Sequence, residues 1–152
     1  MKEVELSQLS EYIEEDLGWS PWFAICQKDV NRFADLTNDH QFIHVNPELA
    51  VKTPFGGTIA HGMFVVSLLS QFYAQTGIGI KSSVISINYG FDKIRFINPV
   101  AVNSEIRAQF KLVTLDDQKP GRIGLTFDVI VEIKGQKKPA LIAQWLVMFY
   151  MA

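Results

Sequence analysis

Cysteine is almost absent from this chain, since Cys26 is the only one. A single thiol cannot close an intramolecular disulfide, so the fold must depend on its hydrophobic core. An excess of positive charge is also missing, because the formal net charge is −2. Proteins that bind nucleic acid through its phosphates need basic stripes or patches, and the sequence shows none. The composition therefore gives no support for a nucleic-acid partner.

Long apolar segments are missing as well. A membrane-spanning helix needs about 20 apolar residues, and runs such as residues 63–69 fall far short of that. Residues 1–16 also lack the apolar stretch of a secretory signal peptide. We therefore expect no membrane insertion and a location in the reducing cytoplasm.

The chain does contain enough apolar residues for one core, because 48% of its 152 residues are hydrophobic and 20% are charged. A chain of this length is typical of one domain. No repeat, low-complexity tract or composition shift marks a linker. We predict a single domain over residues 1–152. Its residues 1–18 form an N-terminal helical extension, since Leu9, Ile13 and Leu17 are spaced four apart.

The apolar pattern predicts helices in the first half of the chain and strands in the second. Asn46 and Pro47 are typical of a helix start, and further helices are predicted over residues 28–36 and about 60–75. Alternation with a period of two predicts long strands over residues 84–96, 104–113 and 123–133, and a run that is apolar on both faces predicts a fourth strand over residues 141–150. A phase slip in the first of these predicts a β-bulge near residues 90–93.

The predicted elements define an α+β fold. A sheet with one apolar face needs a cover, and the helix over residues 60–75 is apolar nearly all round. Wrapping the antiparallel sheet around this helix gives a hot-dog fold. The strand over residues 141–150 is apolar on both faces, as expected of a central or interface strand. We therefore expect a homodimer.

One segment, residues 37–62, collects all three histidines: His40, His44 and His61. It also contains Asp39, five residues before His44. A carboxylate and an imidazole in an irregular loop can converge on one water and share its deprotonation. Alternatively, Asp39 makes only a local turn hydrogen bond and His44 is a loop histidine with its bonds satisfied. The spacing alone favours this second interpretation.

Two further features of this segment have a chemical and a structural interpretation. Gly62 opens the apolar helix, where unpaired backbone N–H groups could polarise a carbonyl oxygen; alternatively, it only allows close packing. The histidines and Asp39 match no compact zinc signature, so no metal is expected. The glycines match no phosphate-binding loop, so no cofactor is expected either. Ser67 and Ser70 lack the context of a catalytic serine and are expected to bond back to the helix.

The order of these motifs resembles a known family. Asp39 and His44 are followed by "VNPELA", by "TIAHGM" at the start of the apolar helix, and later by "NYGFDKIRFINPV". This order is similar to that of MaoC-like dehydratases, the group that contains the (R)-specific enoyl-CoA hydratases. The nodulation-protein-N-like subgroup is the most similar, and the resemblance covers roughly residues 20–150.

The resemblance implies a hot-dog homodimer that acts on an acyl-CoA thioester. It implies reversible hydration of a trans-2-enoyl-CoA to an (R)-3-hydroxyacyl-CoA, with Asp39 and His44 as the catalytic pair. It also implies that the Gly62 amide binds the thioester oxygen and that Ser70 supports the pair. Many members have Asn-Pro where this chain has Gln41 followed by Phe42, and Gln41 could orient its neighbours through its amide.

Two other functions remain open at this point. A hot-dog thioesterase also places a carboxylate beside a helix N-terminus, although it generally lacks the histidine five residues on. A non-catalytic acyl-binding or assembly subunit would be expected to lack Asp39 or His44, and both are present. For a hydratase, we expect the acyl chain to lie beside the central helix against Phe42, Phe64 and Phe91.

Overall fold

The computed structural model describes residues 1–117 and 119–152. The strands in this part of the chain are β1 (Lys2–Val4), β2 (Asp16–Trp19), β3 (Phe23–Ala24), β4 (Ile78–Ile80), β5 (Ser83–Phe96), β6 (Glu105–Asp116), β7 (Arg122–Ile133) and β8 (Leu141–Met151). The helices are a 3-10 helix (Leu6–Tyr12), α1 (Gln27–Thr37), α2 (Phe42–Val45), α3 (Pro47–Ala50), α4 (Gly62–Ser67) and α5 (Leu69–Thr76). In these described ranges no helix is long and apolar enough to span a bilayer.

The main sheet is antiparallel with the strand order β2–β6–β7–β8–β5, and β3 also pairs with β6. The four long predicted strands are confirmed. The predicted bulge is confirmed too, since the register of β5 against β8 shifts between Asn88 and Gly90 and again between Phe91 and Lys93. A separate parallel pair joins β1 to β4.

Aromatic side chains on the inner face of the sheet hold α5 in place. The ring of Tyr73 lies 5.3 Å from Phe110, 5.0 Å from Phe127 and 5.5 Å from Trp145, measured between ring centroids. Its buried hydroxyl donates a hydrogen bond to the Ile78 carbonyl at 2.6 Å, which satisfies the one polar atom of the ring. The sheet therefore wraps around a helix, as the predicted hot-dog fold requires.

The single helix predicted over residues 60–75 is two helices in the structure. α4 ends at Ser67 and α5 begins at Leu69. The Ser67 hydroxyl donates to the Phe64 carbonyl at 2.7 Å, a back-bond that competes with the helical ladder and bends helices. The predicted back-bond of Ser67 is thus confirmed, and it accompanies the break that the apolar pattern did not reveal.

The predicted N-terminal helical extension is wrong for most of its length. Only Leu6–Tyr12 is helical, as a 3-10 turn, and Asp16–Trp19 is a strand beside β6. Glu14 has a positive φ of 69° and Gly18 has one of 90°, so the backbone leaves the helical region. The four-residue spacing of leucine and isoleucine was therefore misleading here.

Candidate active site

A sharp turn after α1 brings Asp39 toward α2. Asn38 caps α1 in the left-handed conformation, with φ of 57°, which asparagine tolerates better than most residues. Asp39 follows on the exposed surface, and its Oδ1 accepts a long hydrogen bond of 3.4 Å from the Gln41 amide. Because this stretch is irregular, the five-residue spacing to His44 does not separate the two side chains.

The structure brings together Asp39, His44 and His61. One ligand atom from each of these side chains lies within 4.8 Å of the other two. His40 is not part of the group, because its Nε2 lies 2.9 Å from the exposed Asp35 carboxylate on the surface. The convergence of Asp39 with His44 supports the first of the two interpretations of their spacing.

The hydrogen bonds of His44 determine which of its nitrogens is free. Nδ1 lies 2.7 Å from the Ile59 carbonyl oxygen, which can only accept, so Nδ1 carries the proton. In the neutral ring Nε2 is then a bare acceptor. Burial lowers the pKa of His44, and His61 lowers it further, while the Ile59 carbonyl and Asp39 oppose the shift. The neutral ring is therefore favoured at neutral pH, as a general base requires.

His61 lies directly against His44. The two rings stack with centroids 3.8 Å apart and planes 24° from parallel. His61 Nε2 lies 2.9 Å from the main-chain carbonyl of Asp39, so this nitrogen donates. Its Nδ1 is buried without a hydrogen-bond partner in the described part of the chain. His61 was not predicted to take part in catalysis, although its place in "TIAHGM" was a signal.

A polar network fixes the main chain of His44. Gln27 Nε2 donates to the His44 carbonyl at 2.7 Å. The hydroxyl of the buried Thr58 donates to Gln27 Oε1 at 2.5 Å. Gln27 and Thr58 are separated by 31 residues, and no spacing in the sequence connects them. These positions therefore could not be identified before the fold was known.

Asp39, His44 and His61 are also the residues that would hold a metal ion, if one bound here. A tetrahedral zinc site needs ring nitrogens that converge at about 2.0–2.1 Å. His44 Nδ1 and His61 Nε2 are each bonded to a main-chain carbonyl oxygen, so each ring has one nitrogen left that could serve as a ligand.

An apolar cavity of about 430 Å³ adjoins the cluster. His44 and Gly62 both lie in its wall, together with the apolar side chains of Phe55, Met63 and Phe96. Phe42, Phe64 and Phe91 were predicted to line the acyl site but do not line this cavity. Phe64 instead packs on Phe33 and Phe91 on Trp145.

The amide of Gly62 is free to bind an acceptor. Gly62 is the first residue of α4, so its N–H has no partner within the helix. Across residues 1–117 and 119–152, no acceptor is found for it. A backbone donor therefore stands beside His44 in the wall of the same cavity.

Two predicted supporting residues are not joined to the cluster by hydrogen bonds from their side chains. Ser70 is exposed, and its hydroxyl bonds Asn88 at 3.4 Å rather than α5 or the Asp39–His44 pair. Its predicted back-bond to the helix is therefore wrong. The exposed Gln41 contacts Asp39 only through its main-chain amide. Support of the Asp39–His44 pair by Ser70 and Gln41 therefore stays a prediction.

The chain is similar in sequence to known proteins. Residues 8–134 match the family model described as MaoC like domain. Nodulation protein N from Rhizobium leguminosarum bv. viciae is 41% identical over 147 residues, which cover 96% of this chain and 91% of that protein. The 3-hydroxyacyl-thioester dehydratase Z from Mycobacterium tuberculosis (strain ATCC 25618 / H37Rv) is 44% identical over 135 residues, covering 89% of each.

Among solved structures, the (R)-hydratase from A. caviae involved in PHA biosynthesis superposes with a TM-score of 0.73 at 26% identity. The superposition covers 89% of this chain and 94% of that one. The hot-dog fold predicted from the strand pattern is thus confirmed.

Proposed function

Because the chain belongs to the MaoC-like dehydratase family, we propose that it catalyses the reversible hydration of a trans-2-enoyl-CoA to an (R)-3-hydroxyacyl-CoA. The observation that carries this proposal is that His44, which lies within 4.8 Å of Asp39 between ligand atoms, stands in the wall of an apolar cavity that Gly62 also lines. An apolar cavity suits an acyl chain, and a pair of proton-accepting groups suits the activation of water.

In the proposed reaction, water adds across the double bond on one face. His44 Nε2 removes a proton from the water as its oxygen bonds to Cβ, and the electrons of the double bond move onto the thioester oxygen. The Asp39 carboxylate accepts a hydrogen bond from the second O–H of the water, which stays on the product hydroxyl, and stabilises the imidazolium. His44 then returns its proton to Cα, so the hydroxyl and the hydrogen arrive on the same face and the enzyme is restored.

The Gly62 amide is proposed to donate to the thioester oxygen as negative charge develops there. A donor of this kind contributes about 2.7–4 kcal/mol to transition-state stabilisation. Glycine matters because a side chain at this position would stand between the cavity and the amide. A Cβ added here would lie 2.8 Å from Phe96 Cε1.

Replacing Gly62 tests this donor. Gly62→Val is expected to lower kcat/KM by roughly tenfold or more. Complete removal of one such donor typically lowers kcat by about 10²- to 10³-fold. The fold should survive, because the exposed Phe96 ring can turn away. Hydration of crotonyl-CoA, followed by its absorbance, measures the effect.

Two controls separate obstruction of the amide from a clash with Phe96. Gly57→Val is a matched glycine substitution with open space around the new Cβ and is expected to be silent. Phe96→Ala combined with Gly62→Val removes the clash but not the obstruction, so turnover should stay low. Recovery of full activity in that double variant would contradict the part proposed for Gly62.

A second copy of the chain is proposed to cover β5. This strand ends the sheet, and an edge strand presents unpaired backbone groups. Its side chains include Ile85, which is 56% exposed, and Tyr89, which is 60% exposed. The neighbouring Met63 in the wall of the cavity is also exposed. Pairing of two β5 strands would bury this surface and complete a homodimer.

The dimer is expected at micromolar concentration. Sedimentation equilibrium should give twice the chain mass, because burial of the exposed apolar side chains of β5 against a second copy stabilises the dimer. A monomer at these concentrations would contradict the proposed pairing.

The proposed reaction is distinguished from its alternatives in one assay. Crotonyl-CoA is incubated with the protein while enoyl absorbance and free thiol are followed together. A hydratase lowers the absorbance without releasing thiol. Thiol release would indicate a thioesterase, and binding of the thioester without either change would indicate a non-catalytic acyl-binding subunit.

A further inference from the structure

We propose that His61 is a positioning residue for the hydration reaction: it fixes the main chain of Asp39 through its Nε2–H and the ring plane of His44 by stacking. This inference rests on the proposed function of the Asp39–His44 pair. His61 is the N-cap of α4, so it ties the start of the central helix to the loop that carries Asp39.

The loop carrying Asp39 has few other restraints. Asp39 is exposed, and the hydrogen bond between its Oδ1 and the Gln41 amide is long at 3.4 Å. The 2.9 Å bond from His61 Nε2 to the Asp39 carbonyl is shorter and joins residues 22 apart. It therefore holds the backbone of Asp39 beside the His44–His61 stack.

The same ring also limits the orientation of His44. One face of His61 stacks on His44 at 3.8 Å, and Phe33 packs against His61 with ring centroids 5.1 Å apart. The Nδ1–H of His44 is held by the Ile59 carbonyl. The stack and this hydrogen bond together leave the His44 ring little freedom to turn.

A ring needed only for packing would not have to be histidine. His61 is 3% exposed, and its Nδ1 is buried without a partner in the described residues. Native proteins rarely leave a buried nitrogen unsatisfied, and the exceptions need an explanation. Phenylalanine would fill the same space without this nitrogen, but it could not donate to the Asp39 carbonyl. The hydrogen bond to Asp39 is thus the specific reason for histidine.

Two substitutions separate positioning from packing. His61→Phe keeps a ring between Phe33 and His44 but removes the N–H, and we expect kcat to fall by about 10- to 10²-fold. KM should stay within about twofold, since the ring does not bind substrate. His61→Gln can donate from its amide but loses the ring, so it should recover several-fold in kcat over His61→Phe while having the lower melting temperature.

We therefore expect His61→Gln to be more active but less stable than His61→Phe. A role in packing alone cannot produce this opposite ranking. If kcat follows melting temperature, or if His61→Phe has the activity of the wild type, the inference is overturned. A wild-type protein without hydratase turnover would instead contradict the proposed function.

A second measurement tests the inference without relying on turnover. In the ¹⁵N-histidine-labelled wild type, the spectrum is simple because the chain has three histidines. We expect the proton of the neutral His61 ring on Nε2 and that of the neutral His44 ring on Nδ1. A proton on His61 Nδ1, with Nε2 bare, would exclude the bond to Asp39 and overturn the inference.

Discussion

The His44→Asn protein is expected to lose hydration activity by about 10²- to 10⁴-fold in kcat, the usual contribution of a positioned general base. Asparagine is chosen because its amide nitrogen can take the place of Nδ1 and still donate to the Ile59 carbonyl. That carbonyl oxygen lies 2.7 Å from His44 Nδ1 in the wild type. It has no basic nitrogen in the place of Nε2. The substitution thus removes the proton acceptor while leaving the buried donor, and kinetics on crotonyl-CoA measures the loss.

The His44→Asn substitution should also change how kcat/KM depends on pH. Burial lowers the pKa of His44 from its ordinary value of 6.5, so a base at this position is active above that pKa and is protonated as the pH falls through it. Wild-type kcat/KM should therefore have an acid limb below pH 6.5, with Asp39 and His61 as the titratable neighbours. His44→Asn should lose the part of the limb that is due to His44.

His40→Asn is the matched control for this substitution. His40 is an exposed histidine that contacts Asp35 and lies outside the cluster, so full activity is expected. Full activity of a folded His44→Asn protein would remove His44 from the mechanism.

The Asp39→Asn substitution is expected to have the second large effect, a loss of about 10²- to 10⁴-fold in kcat. Asparagine keeps an oxygen for the turn bond from the Gln41 amide but is neutral. It cannot stabilise an imidazolium, and its amide can present a donor where the water needs an acceptor. Because Asp39 is exposed, the melting temperature should change little.

The two substitutions should not add. Groups that act as one unit lose most of their effect when either is removed, so Asp39→Asn combined with His44→Asn should be about as slow as the slower single variant. Asp35→Asn replaces a neighbouring surface carboxylate and serves as the control. Multiplicative losses in the double variant would indicate that the two side chains act in separate steps.

The sequence predicted the long strands well because alternation is a local property. A residue on β6 or β7 faces the core or the solvent largely according to its parity, and that pattern needs no knowledge of the partner strand. The Asn46 cap was predictable for the same reason: its side chain accepts from Leu49 N, three residues on, at 3.1 Å.

The errors and omissions have non-local or competing causes. The N-terminal segment has a helical spacing, but pairing of Asp16–Trp19 with β6 overrides it. The proposed catalytic pair was indicated by motif order, whereas the bond of His61 to Asp39 and the Gln27–Thr58 network join residues 22 and 31 apart. Such contacts depend on how α1, α2 and α4 meet, and the sequence pattern does not specify that meeting.

Hydration of crotonyl-CoA in D₂O, with the configuration of the product determined by chiral analysis and NMR, tests the central claim most directly. If Asp39 and His44 activate one water on one face of the substrate, the product is (R)-3-hydroxybutyryl-CoA with deuterium at Cα on the same face as the hydroxyl group. An (S) product, or deuterium on the opposite face, would contradict the account.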